Sequence, residues 1–297
     1  MSTIQPAEPR FLGASDVVEN ATVGILGVPY DGAVTYRAGA SRGPASLRAA
    51  SQSIETYCPK QDQDLDDLRY VDLGDVILNA DERDPESLVA QVGEQLRPFR
   101  ELSLLGIGGD HLVALPFLRR ALVRHPDLQI LHIDAHWDLR EHWQGEPLNH
   151  ASIIRRTLES MGPKAKIHSW GIRSGLRSEY AYVQTEDRIA LLSRDRFAVL
   201  QHVQGLLAAD QPIYLTLDVD GIDPAVIPGT GTPEPDGLPF ADVEALIGLL
   251  AAGITRGPGL VGADIVELAP NLDMSGRSNV AAARLVRGIL LALAPRR

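Results

Sequence analysis

The sequence predicts an α/β protein: a mostly parallel sheet covered by helices on both faces. Three observations carry this. Strand-like and helical patterns alternate six or more times. The strand-like segments are near-continuous apolar runs rather than alternating ones, as strands buried on both faces should be. No internal repeat, low-complexity segment or long linker divides the 297 residues, so the chain reads as one domain, 1–297.

The elements follow in order. Residues 22–28 read as a strand, then a Gly/Pro-rich turn, then a helix over 43–51. Residues 70–77 read as a strand or a strand pair, and 85–96 as a helix with Asp84 as its cap. Strand 102–107 precedes helix 112–124, and strand 128–134 precedes helix 150–160. Strand 166–172 is followed by helix 196–208, and strand 213–218 by helix 240–252. Strand 260–268 and helix 278–293 close the chain. Residues 1–12 are expected to form a flexible tail, and the acidic stretch 62–67 a solvated surface loop.

Composition removes several function classes. Hydrophobic residues at 44% and charged residues at 23% exclude a disordered, collagen-like or coiled-coil chain. A net charge of −11 disfavours nucleic acid as a partner. The single cysteine, Cys58, leaves no intramolecular disulfide and no multi-thiolate metal site, in agreement with a reducing compartment. The opening ten residues have no apolar run and do not read as a signal peptide. Residues 280–294 are interrupted by Arg284 and Arg287, too short and charged to span a bilayer. The expected setting is cytoplasmic, with no membrane partner.

In such folds ligands sit beyond the carboxyl ends of the strands, and four strand ends are unusual. They carry Gly108-Gly109-Asp110-His111, Asp134-Ala135-His136-Trp137-Asp138, Asp218-Val219-Asp220, and Glu267. Residues two apart on an extended segment share a face, which pairs Asp134 with His136 and Asp218 with Asp220. Each motif alone is an ordinary polar turn. Together they bring two imidazoles and at least four carboxylates to one crevice, where the carboxylates cannot all ionise without a counter-charge. Two divalent cations fit a set this large. Carboxylates with imidazoles and no thiolate favour Mn²⁺, with Fe²⁺, Co²⁺ or Ni²⁺ as alternatives. Two ions roughly 3.5–4 Å apart polarise a bridging water to hydroxide, which is hydrolytic machinery.

These residues resemble the ureohydrolase family of arginases, agmatinases and their relatives. Gly-Gly-Asp-His at 108–111, Asp-Ala-His-Trp-Asp at 134–138 and the long motif at 217–233 carry the resemblance. Gly27-Val28-Pro29-Tyr30-Asp31 and Gly39-Ala40-Ser41-Arg42-Gly43-Pro44 extend it to the start. It covers about residues 23–293. The resemblance implies an arginase-like three-layer α/β/α sandwich, a trimer or hexamer, and hydrolysis of a guanidinium group to urea and an amine. It implies one Mn²⁺ on His111, Asp134, Asp138 and Asp218, and another on Asp134, His136, Asp218 and Asp220, with Asp134 and Asp218 bridging.

The chemistry of the residues agrees. A guanidinium carbon is a poor electrophile and needs a strong nucleophile and a shaped counter-charge. Asp138 is placed to orient the hydroxide, Glu267 to pair with the guanidinium through two N–H groups, and His150 to carry the proton to the leaving amine. His132, two residues before Asp134, reads as a hydrogen-bonding support. The Gly/Pro-rich stretch 221–237 reads as an ordered wall.

Substrate choice turns on the loop 139–149. It offers Glu141 and Glu146 and few hydroxyls, which suits an ammonium better than a carboxylate, and Asn149 completes the expected substrate contacts. The pattern Asp-Leu-Arg-x-x-x-x-Gly-Glu resembles prokaryotic agmatinases, with Ala151 standing where many relatives have glycine. The expected reaction is agmatine to urea and putrescine. Arg140 keeps guanidinobutyrate open, so guanidinobutyrase, arginase or another guanidino-acid ureohydrolase is the alternative. A metal-dependent deacetylase of the same fold is disfavoured by the second aspartate pair.

Overall fold

The structure is a computed structural model describing residues 4–15, 17–78, 84–252 and 257–294. Its strands are β1 (Ile4–Gln5), β2 (Val23–Val28), β3 (Tyr57–Cys58), β4 (Gln63–Asp64), β5 (Tyr70–Val76), β6 (Ser103–Gly108), β7 (Gln129–Ile133), β8 (Lys166–Trp170), β9 (Ile189–Leu191), β10 (Ile213–Asp218) and β11 (Leu260–Val266). Its helices are α1 (Gly43–Ser51), α2 (Pro85–Leu96), α3 (Ala114–Arg124), α4 (Ile153–Ser160), α5 (Arg177–Val183), α6 (Arg196–Ala208), α7 (Phe240–Ala252) and α8 (Arg277–Leu293).

Nine strands form one sheet in the order β1-β5-β2-β6-β11-β10-β7-β8-β9. All pairs are parallel except β1 against β5. The apolar runs at β2, β7 and β10 are buried at every position, as a sheet covered on both faces demands. One apolar cluster gathers Leu47 of α1, Val203 of α6, Leu246 of α7 and Ile289 of α8. A second gathers Leu88 of α2, Phe117 of α3 and Ile154 of α4. The result is a three-layer α/β/α sandwich, as expected. No described helix is long and apolar enough to cross a membrane.

Asp84 caps α2, its carboxylate accepting the N–H groups of Glu86 and Ser87 at 3.3 and 3.1 Å. A short 3₁₀ turn precedes both α3 and α4, over His111–Val113 and His150–Ser152. These turns present two of the expected site histidines.

The flexible tail expected for residues 1–12 is corrected from residue 4 onward. Ile4 and Gln5 pair with Val76 and Asp75, Phe11 is buried, and its N–H donates to Asp72 Oδ2 at 2.9 Å. The same carboxylate takes Arg48 Nε at 2.8 Å, and Arg48 also holds Asp75 at 2.6 Å. This buried charge network ties α1, β5 and the N-terminal segment together. The 62–67 stretch is also more structured than a solvated loop: Gln63–Asp64 pairs with Tyr57–Cys58, and Leu65 is buried. Sequence patterning passes over α5 and β9, which are too short for a sustained period.

Candidate active site

Four neighbouring strands in the sheet order, β6, β11, β10 and β7, deliver the four motifs to one edge. At the first tip the chain passes so close to Tyr30 that a Cβ on Gly109 would stand 1.5 Å from its carbonyl oxygen. Only glycine fits there. Asp110 N–H then donates to that carbonyl, and the turn aims His111 inward.

The structure brings the six expected ligands together. His111 Nδ1 faces Asp138 Oδ2 at 3.1 Å, Asp134 Oδ2 at 3.2 Å and Asp218 Oδ2 at 3.4 Å. His136 Nδ1 faces Asp220 Oδ2 at 3.1 Å and Asp134 Oδ1 at 3.5 Å. Asp134 thus reaches both groups with different oxygens. Asp218 reaches His111 with Oδ2, while its Oδ1 accepts the Asp220 N–H at 2.8 Å.

Two of the candidate site carboxylates stand on strained backbone. Asp138 has φ +49° and Glu267 φ +64°, a left-handed conformation that costs a non-glycine residue about 1–3 kcal/mol. Each is held in place. The Asp138 carbonyl accepts two N–H groups from the start of α4, Ile154 and Arg155, and Glu267 N–H donates to the Gly109 carbonyl at 2.8 Å. At Asp138 the reversed backbone turns the carboxylate back toward His111.

The donor set fits a divalent cation. His111 Nδ1 is buried without a hydrogen-bond partner, yet three carboxylate oxygens converge on it. Burial and the charges of Asp220 and Asp134 raise the Asp218 carboxyl well above its ordinary value. Burial and Asp134 also raise the Asp138 carboxyl. At Asp134 burial opposes ionisation, but the imidazoles of His111, His132 and His136 that face its oxygens outweigh it and hold the carboxyl well below the usual range. At His136 burial works against the charged form, but Asp220 and Asp134 prevail and push the imidazole up to about 12. This excess of negative charge is what divalent cations held here would neutralise.

His132 has the supporting place expected of it. Its Nε2 is 2.9 Å from Asp134 Oδ2 and its Nδ1 3.1 Å from Ser169 Oγ, so both ring nitrogens are engaged.

Beside the cluster, Glu267 Oε1 accepts the His111 N–H at 2.9 Å and lies 3.1 Å from His150 Nδ1. Among the described residues its Oε2 accepts no hydrogen bond. Burial alone would lower the His150 imidazole. The hydrogen bond to Glu267 and the charges of Glu267, Asp138 and Asp110 outweigh it and raise the group to about 9. His150 Nε2 meets Thr35 Oγ1 at 2.9 Å. Thr35 lies in an irregular loop that Asp110 and Arg37 pin down: Ala33 N–H donates to Asp110 Oδ2, and Arg37 donates to the carbonyls of Thr230 and Gly231.

A cavity of about 300 Å³ opens over these groups, lined among others by Asp138, Arg140, His150, Thr35, Ser174 and Glu234. The stretch 221–237 forms one wall, with Thr232 Oγ1 donating to Asp220 Oδ2 at 3.1 Å. The loop 139–149 behaves differently from expectation. Arg140 lines the cavity and lies over the Trp143 ring at 4.5 Å. Glu141 and Glu146 are exposed and stand outside the lining. The physical reason for Glu146 is a tight turn in which Trp143 and Glu146 exchange backbone bonds at 2.9 Å, through Gln144 and Gly145 at positive φ. Asn149 is buried, its Nδ2 donating to the Glu146 carbonyl at 2.9 Å.

Sequence reasoning missed Thr35 and Glu234. Thr35 has no local signal, since its partner is 115 residues away. Glu234 was legible only as part of the 221–237 wall.

The Arginase family model matches residues 21–292. The chain belongs to the arginase family. It is 37% identical to an agmatinase of Bacillus cereus over 95% of both chains. It is 34% identical to a guanidinopropionase of Pseudomonas aeruginosa, over 92% of this chain and 86% of the relative. The crystal structure of agmatine ureohydrolase of Thermoplasma volcanium superposes with a TM-score of 0.82 at 29% identity, covering 96% of this chain and 94% of that one.

Proposed function

We propose that this arginase-family protein hydrolyses agmatine to urea and putrescine, using two Mn²⁺ ions held by His111, Asp134, His136, Asp138, Asp218 and Asp220. One observation carries the reading: the partnerless His111 Nδ1 faces three buried carboxylates beside the Glu267–His150 pair. The identity to agmatinases supports the substrate class.

The ions, when bound, lower the pKa of water and supply the nucleophile. The protein's own groups do the rest. Glu267 keeps Oε1 for His111 and His150 and offers Oε2 to the guanidinium, fixing the carbon over the cluster. Asp138 orients the attacking water. His150, protonated at neutral pH, gives its proton to the leaving amine. Thr35 takes a hydrogen bond from His150 Nε2–H and turns its own hydrogen toward the cavity, so the amine takes the Thr35 hydrogen while the hydroxyl recovers one from His150 Nε2.

In the cavity lining Glu234, its Oε1 3.8 Å from His136 Nε2, is the carboxylate we assign to an ammonium. A second reading rests on Arg140, the one arginine or lysine among the described lining residues, which would favour a guanidino acid. Urea release from agmatine, arginine, guanidinobutyrate and guanidinopropionate with Mn²⁺ decides between them. Agmatine is expected to lead; a guanidino acid leading overturns the first reading in favour of the second.

A further inference from the structure

A row of polar residues crosses the sheet one side-chain repeat below the carboxylates. Ser169, His132, Thr216 and Asp264 occupy paired register positions on β8, β7, β10 and β11. All four are buried, in strands that otherwise read as apolar runs. His132 supports Asp134, as described. The other half of the row has no role so far.

Asp264 carries a charge-bearing group into the interior, and no arginine or lysine among the described residues pairs with it. Its partners are two hydroxyls: Tyr214 donates to Oδ2 at 2.8 Å and Thr216 to Oδ1 at 2.7 Å. Burying a carboxylate on hydroxyl partners alone is costly, and sheet packing does not require it. The consequence lies one bond further on. Thr216 has one hydrogen, and it is spent on Asp264. Toward His111 Nε2, at 2.9 Å, the hydroxyl can only accept. The imidazole must therefore carry a proton on Nε2. The lone pair of its neutral form is then on Nδ1, the atom that faces the three carboxylates.

We propose that Asp264, acting through Thr216, is a positioning residue that fixes the His111 tautomer and so presents Nδ1 to the metal ion. The proposal rests on His111 being a ligand. With the other donor arrangement, Thr216 giving its hydrogen to Nε2, Nδ1 would carry the proton and could not bind a cation.

The test is Mn²⁺ affinity, measured by competition with a chelator, beside the melting temperature of the metal-free protein. Thr216→Val and Asp264→Leu should weaken binding about 10–100-fold, while Thr216→Ser keeps it within about twofold, the range expected for outer partners of metal ligands. Metal-free melting should stay near that of the parent. A fall in melting that accounts for the whole loss of affinity assigns a structural role and overturns the proposal. His111→Ala separates the two readings. If it binds manganese like the parent, the ligand reading fails and the relay with it. If it loses affinity while Asp264→Leu and Thr216→Val do not, the relay alone is wrong. Cadmium-loaded, ¹⁵N-histidine-labelled parent protein gives a check free of variants. His111 should show a slowly exchanging proton on Nε2; a rapidly exchanging one overturns the relay.

Discussion

Glu267 Oε1 binds two members of the site at once: it accepts the His111 backbone N–H at 2.9 Å and lies 3.1 Å from His150 Nδ1. The residue assigned to the guanidinium therefore also raises the proton affinity of His150 and braces the turn that carries the candidate ligand His111. Glu267→Gln should keep the metal content and cost about 2–5 kcal/mol in kcat/KM, as for a broken buried charge pair. Elemental analysis beside steady-state kinetics checks this. Loss of manganese in that variant contradicts the role.

His150 gives the pH dependence its alkaline side. With the imidazole raised to about 9, turnover should fall as pH climbs through that region, because the acid form is lost. In Glu267→Gln the negative charge that raises the group is gone, and the falling limb should move to lower pH. The same group stabilises the fold. Its folded value lies above the ordinary imidazole value of about 6.5, so its contribution is complete below that pH and vanishes as pH rises through about 9. His150→Asn should therefore narrow the difference in melting temperature between pH 6 and pH 10 (two bracketing values chosen about these limits). An unchanged difference excludes this linkage.

Metal removal should destabilise the chain as well as silence it. Ion at about 100 times its dissociation constant adds roughly 2.7 kcal/mol to the folded state, so chelation should lower the melting temperature and added Mn²⁺ restore it. Asp220→Ala should drop one of two ions. Asp134→Ala should disturb both, since its oxygens face both histidines. A single ion in the fully active parent rules out the binuclear assignment.

Substrate preference should follow Glu234 and Arg140. Agmatine is expected to exceed arginine about a hundredfold in kcat/KM, a gap of roughly 2.7 kcal/mol. Glu234→Gln should raise KM for agmatine more than it lowers kcat. Glu141→Gln and Glu146→Gln, outside the cavity, should leave the kinetics close to the parent's. If Arg140→Ala improves agmatine and removes turnover of guanidinobutyrate, Arg140 reads the carboxylate of guanidino acids.

Stability away from the site should hinge on Arg48. It is buried against Asp72 and Asp75, and removing it strands a carboxylate that also holds Phe11 N–H. Arg48→Ala should cost about 3–5 kcal/mol in denaturant titrations. A change under about 1 kcal/mol would mean the network contributes little, as exposed pairs do.

Much of the architecture was legible because burial on both faces writes itself into sequence. The apolar runs at β2, β7 and β10 and the Pro and Asp signals opening α2 left little freedom. The candidate ligands were legible because carboxylates and imidazoles at strand ends have few other uses. What escaped was chemistry built from distant or ordinary residues. Thr35 meets His150 only after folding. Thr216 and Asp264 sit inside strands, where a single threonine or aspartate looks like a blemish in an apolar run. A buried polar residue in such a run is itself a signal that a partner must exist. The outward turn of Glu146 depended on positive φ at Gln144, a residue type that does not announce it.

The loop that carries Thr35 has one further consequence. Asp31 takes the Gly39 N–H, Asp110 the Ala33 N–H, Arg37 two carbonyls of the facing wall, and Thr35 the ring of His150. A segment without regular structure is thus immobilised before any substrate arrives. The conformational entropy of ordering it is lost once, during folding, and is not charged again at each capture event. Substrate association should accordingly proceed without a slow ordering phase, and the heat capacity change of binding should reflect the area of the small molecule alone.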